Sequence, residues 1–149
     1  MNWNKDRSIV LSQFCVCAFG LLLAVLDVFG YWLVGFFIQL RNMNWQLGAM
    51  ILAAVYVCSV FAWIVLWRLW KLLGNIKTGL VFIPENISHM RSVSWCCAAV
   101  ALVCLLATLA YLPFFVCAMA SAFMALIVRI VKNAFQQALL MKDELDFTV

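Results

Sequence analysis

Three long apolar runs dominate the chain. Ser8 to Leu40 is interrupted by a single charge, Asp27, while Asn42 to Trp67 and Ser92 to Val128 carry none. Each run exceeds the ~18 uncharged residues that mark a membrane-spanning helix. Between the second and third runs lies the one sizeable polar stretch, Lys71 to Arg91, reading KLLGNIKTGLVFIPENISHMR. The pattern predicts a first span over about 9–29 and a second over 47–67. Ser8 to Leu40 as one helix would be ~48 Å long against a ~30 Å hydrocarbon core. Phe29 to Phe37 is therefore expected at the far interface, with Gly30 and Gly35 as places to bend. Leu72 to Ile83, which contains Gly74 and Gly79, reads as a turn region. Pro84 suits a first helical turn because its missing N–H needs no partner there, and Glu85 complements the positive end of the helix dipole. Ser92 to Val128 would make one ~55 Å helix, so it divides into spans 93–111 and 114–131 around Leu112-Pro113. The fourth helix then continues past the membrane as a tail over 132–149.

Composition agrees with that pattern. The chain has 149 residues, 68% hydrophobic and 11% charged, against about 25% charged in a soluble domain. A single integral membrane domain over 1–149 follows. The net charge of +4 points to membrane topology and anionic lipid contact, since no basic face large enough for nucleic acid is present. With four spans, Lys5, Arg7, Arg68, Lys71, Lys77, Arg91, Arg129, Lys132 and Lys142 share one side and Arg41 stands alone on the other. Basic residues concentrate on the cytoplasmic side. The expected fold is all-α: a four-helix membrane protein of two helical hairpins, both termini cytoplasmic, with a cytoplasmic loop at 68–92 and a C-terminal helical extension. Lys5 and Arg7 ahead of an apolar run resemble a secretory signal, but the run is too long for one, so an uncleaved first span is expected.

Candidate chemistry is sparse. Cys15, Cys17, Cys58, Cys96, Cys97, Cys104 and Cys117 all lie in apolar runs, where cysteine behaves as a small hydrophobe. No nucleophile elbow, phosphate loop or two-histidine metal helix is present, so no enzyme, catalytic residue, metal site or cofactor is expected. Asp27 is the sharpest single residue, because an acid inside a span is costly and marks a candidate ion, proton or ligand site. His89, the only histidine, stands one helical turn after Glu85 and reads as a solvated interfacial residue. Trp63, Trp67 and Trp70 share a face above Arg68 and Lys71 and read as an interfacial anchor. Ala118 with Ala122, Ser121 with Ala125 and Cys97 with Ala101 provide small-xxx-small faces for helix packing.

Two segments resemble a known family. One is Gly79-Leu80-Val81-Phe82-Ile83-Pro84-Glu85-Asn86 with Met90-Arg91 and Ser94-Trp95; the other runs from Val128 through Arg129, Lys132 and Asn133 to the closing KDELDFTV. Both are similar to the bacterial membrane family called domain of unknown function 2975. Ile83 departs from it, since the family often has Ser or Thr before the proline, and a side-chain N-cap is thereby lost. The resemblance implies a multi-pass protein of the bacterial cell membrane with no established activity. Its members are often encoded beside a small helix-turn-helix regulator, which implies a cytoplasmic protein partner of that kind. The expected role is a regulatory or interaction component whose surface comprises Phe82, Pro84, Glu85, Asn86, Arg91, Arg129, Lys132, Asn133, Glu144, Asp146 and Thr148. The alternative is a small transporter or channel component using Asp27, which at four spans would enclose a path by forming a homo-oligomer.

Overall fold

The computed structural model describes residues 3–148. They form α1 (Trp3–Arg41), α2 (Trp45–Lys77), α3 (Pro84–Ala107) and α4 (Phe114–Phe147), with no strand among the described residues. Met1, Asn2 and Val149, and the side chains of residues 3–6 (Trp3 and Lys5 of the polar head among them), lie outside the described residues. All four helices are long and apolar enough to cross a membrane.

The first two helices end in the same way. At the end of α1, Asn42 takes the left-handed conformation (φ 48°), Met43 N–H donates to the Ile38 carbonyl and Asn42 N–H to that of Gln39. At the end of α2, Gly79 does so (φ 83°), while Leu80 N–H donates to Asn75 and Gly79 N–H to Ile76. Both are Schellman closures, which satisfy carbonyls that the last turn would leave bare. Pro84 opens α3 and Glu85 sits in its first turn. Ile83 at the N-cap supplies no side-chain hydrogen bond. The α3–α4 connection is held by Thr108 Oγ1 donating to the Cys104 carbonyl, and Pro113 caps the start of α4.

Successive helices run in opposite directions. Asp27 of α1 faces Ser59 and Trp63 of α2, whereas Ile38 meets Gly48. Along α2 and α3, Asn75 pairs with Asn86, Arg68 with His89 and Cys58 with Cys104. Ser94 of α3 donates to the Ala125 carbonyl of α4. Backbone packing joins α1 to α2, α2 to α3 and α3 to α4, and no other helix pair among the described residues. The helices therefore form a row, with the 78–83 loop at one end and the 42–44 and 108–113 turns at the other.

The buried apolar residues are mostly small or β-branched: Ile38, Ile51, Ala54, Ile87, Val93, Cys104, Ala107, Ala118 and Ala125. Such residues let helices approach closely, which matters where lipid removes the hydrophobic drive between them. Large apolar side chains such as Phe14, Val28, Trp32 and Leu109 point outward. That inversion suits a hydrocarbon solvent and would be untenable in water.

Two expectations are corrected. α1 passes Gly30 and Gly35 without interruption; Gly30 is buried against the Tyr56 ring, so its small size serves packing, not bending. Gly74 is helical, and the turn region shrinks from 72–83 to 78–83. Along the α1–α2 pairing, Asp27 stands level with Ser59, and Ile38 level with Gly48.

Candidate interaction surface

The loop end of the row carries the polar chemistry, and Asn86 organises it. Its side chain is fully buried, with 0% exposure. Nδ2 donates to the carbonyls of Leu80 and Val81, both at 2.8 Å, and Oδ1 accepts from Asn75 Nδ2 at 2.8 Å. One amide thus pins the loop that follows Gly79 to the end of α2. This corrects the placement of Asn86 on an exposed surface. Its partners are fixed by the fold and none is left for another molecule.

One turn further along α3, His89 is also buried, at 4% exposure, and not solvated as expected. Arg68 Nη1 lies 3.1 Å from His89 Nδ1. A guanidinium can only donate, so Nδ1 is the acceptor and the ring proton sits on Nε2. That nitrogen faces Glu85 Oε1 at 3.5 Å. The expected proximity of Glu85 and His89 is present, with Arg68 completing a chain from α2 across α3. Arg68 and Lys71 also lie over the Trp67 ring, at 5.2 and 4.7 Å from its centroid, so this anchor holds cations as well as facing the interface.

The loop reaches α4 through Phe82. Its ring lies 5.5 Å from that of Phe135. Beside this contact, Pro84, Ile87, Ser88, Arg91, Gln136, Leu139 and Leu140 line a groove of about 300 Å³ between the start of α3 and the extension of α4. The fold brings Phe82, Pro84, Glu85 and Arg91 to the same end as Arg129, Lys132 and Asn133. Glu144, Asp146 and Thr148 sit farther out on the exposed last turns of α4, where Thr148 Oγ1 donates to the Glu144 carbonyl. Leu140, Met141, Leu145 and Phe147 are exposed on the same extension.

Asp27 belongs to a separate place. Ser59 Oγ donates to Oδ1, Trp63 Nε1 donates to Oδ2 at 2.8 Å, and Tyr56 Oη donates to the Asp27 backbone carbonyl at 3.1 Å. Both carboxylate oxygens are engaged by α2. Ser59 and Trp63, four residues apart, lie on one helical face; that spacing was the signal from which a polar partner for Asp27 could have been read. Asn75 and Phe135 carried no comparable signal, because their partners, Asn86 of α3 and Phe82 of the loop, are placed only by the path of the chain after α2. All seven cysteines are free, and Cys58 and Cys104 meet as thiols with sulfurs 3.9 Å apart across α2 and α3.

Four apolar helices with a polar, partly apolar-lined end define a multi-pass membrane protein of all-α architecture. More particularly, the chain belongs to the family described as protein of unknown function (DUF2975), whose model matches residues 32–149. The loop and tail both fall inside that match, and Asp27 precedes it. No curated protein and no solved structure matches the chain.

Proposed function

We propose that this is a regulatory or protein-interaction component of the bacterial cell membrane, acting through its 78–83 loop, the start of α3 and the extension of α4. In this reading the two hairpins place both termini and the loop in the cytoplasm. The supporting observation is the Phe82–Phe135 contact, which joins two segments distant in sequence into one surface beside an apolar groove. Helical grooves of this kind receive the apolar face of a partner helix. The partner is a cytoplasmic protein, such as a small helix-turn-helix regulator, and the surface performs no catalytic step. The test is binding of the purified regulator to the full chain in lipid nanodiscs. Phe82→Asp and Leu140→Asp should each abolish saturable binding, while Leu109→Asp, at the opposite end, should not. Binding that survives both loop-end substitutions would refute the assignment.

A second reading, a small transporter or channel component, draws on Asp27, an acid within an apolar helix whose carboxylate is held by Ser59 and Trp63. Proteoliposomes containing the wild-type chain would then pass protons or cations, and Asp27→Asn would stop the flux. Equal leak in both would remove this reading and leave Asp27 as a helix-packing residue.

A further inference from the structure

A second groove, of about 430 Å³, runs between α3 and α4. One end is lined by Arg91, Arg129 and Lys132, and the rest by Trp95, Ala98, Ala101, Ala122 and Leu126. Among the described residues none of the three cations has an acidic partner; the one basic–acidic side-chain contact is that of His89 with Glu85. Ser94 also lines the groove, but its hydroxyl proton is committed to the Ala125 carbonyl, so the polar end offers cationic donors and little else.

We propose that this groove is a binding site for one anionic phospholipid, its phosphodiester held by Arg91, Arg129 and Lys132 and an acyl chain lying along the alanine-lined floor. Three features favour that occupant. The charge is complementary: uncompensated guanidinium and ammonium groups bind phosphate oxygens through charge-assisted hydrogen bonds. The length agrees, since Arg91 to Ala101 is about 15 Å of helix, one leaflet of a ~30 Å core. Trp95, 69% exposed at the rim, is an indole at the level where such rings meet headgroups. Among the described residues, Glu85, on the same helix as Arg91, is turned to His89 instead. Asp143 and Glu144 stand about 16 Å or more beyond Lys132 on the same uninterrupted α4. This groove shares Arg91 with the Phe82–Leu140 surface, but lipid binding there requires no protein partner.

Native mass spectrometry of the full chain, released from nanodiscs containing phosphatidylglycerol or phosphatidylcholine, tests the site with no protein partner present. One phosphatidylglycerol should be retained about tenfold more tightly than phosphatidylcholine. The triple variant Arg91→Gln, Arg129→Gln, Lys132→Gln should lose that preference. The charge-matched variant Lys71→Gln, Lys77→Gln, Lys142→Gln should keep it. Ala122→Phe, which fills the floor, should lower retention with all cations in place. If that variant does not fold, quenching by brominated phosphatidylglycerol replaces it, and should be weaker in Trp95→Phe than in the wild type. Equal loss in the two triple variants would overturn the proposal in favour of general surface attraction. Equal binding of inorganic phosphate or glycerophosphoglycerol would overturn it in favour of a free phosphate site. Phosphatidylglycerol binding that emerges only after removal of residues 142–149 would overturn it in favour of the acidic tail of a second copy.

Discussion

Asn86 can donate two hydrogen bonds, and both go to loop carbonyls; its oxygen takes a third from Asn75. Asn86→Ala leaves those three part-buried groups without this partner, at about 3 kcal/mol for the set. Thermal unfolding in detergent should show the loss, and limited proteolysis should cut first between Thr78 and Ile83. Asn86→Asp keeps the acceptor for Asn75 but turns carboxylate oxygen toward the Leu80 and Val81 carbonyls, so it should be no milder than alanine. A result in which Asp restores stability would contradict the assigned orientation of the amide. Asp27 calls for a different pair. Asn retains one acceptor for Ser59 or Trp63 and Ala retains none, so Asp27→Ala should lower the unfolding midpoint more than Asp27→Asn. Trp63→Phe should have less effect in an Asp27→Ala background than alone, because the shared hydrogen bond is already gone. Both residues stand out in the sequence, Asp27 as a charge in an apolar run and Asn86 within a family-like motif. Of their partners only the Ser59–Trp63 spacing offered a signal, and the pairing of Asn75 with Asn86 depends on where α2 stops.

The helices themselves were largely legible, because each is a long apolar run and Pro84 and Pro113 mark the two later starts. Their ends were harder. Gly74 and Gly79 look alike in sequence, and only the path of the backbone separates them: Gly74 is helical with open space around its Cα, whereas Gly79 has φ 83°. Gly74→Ala should stabilise α2 by about 0.5–1 kcal/mol through propensity. Gly79→Ala should destabilise by about 1–2 kcal/mol, because a Cβ opposes the left-handed conformation. Opposite signs in the same unfolding assay are the expected outcome. Gly48 poses a packing question instead. A Cβ there would strike Ile38 Cδ1 and lie 2.7 Å from Cγ1. Gly48→Leu should therefore cost about 1–3 kcal/mol by overpacking, and Ile38→Ala should recover much of it. The unbroken course of α1 was missed for a related reason: a glycine permits a bend but does not enforce one, and Tyr56 packing against Gly30 holds the helix in register.

At the scale of the whole molecule, the row of antiparallel helices decides which segments share a membrane face. The 78–83 loop and the end of α4 lie at one end, joined by Phe82 and Phe135, and the 42–44 turn lies at the other. Charge bias in the sequence pointed to the same grouping, since Arg41 alone falls on the far side. It could not supply the partners of Asp27, which depend on how α1 and α2 pair. The grouping has a direct consequence for accessibility. With the seven native cysteines replaced by alanine, Thr78→Cys and Thr148→Cys should react with a membrane-impermeant maleimide from one side of sealed vesicles, and Asn42→Cys only from the other. On the proposed topology, with the basic end in the cytoplasm, Asn42→Cys should label in right-side-out vesicles and the other two in inverted vesicles. If α3 and α4 crossed the membrane as one continuous span, the chain would cross three times and Thr148→Cys would exchange its side for that of Asn42→Cys, while Thr78→Cys stayed where it is. That single exchange would break the Phe82–Phe135 surface and, with it, the shared site for a cytoplasmic partner.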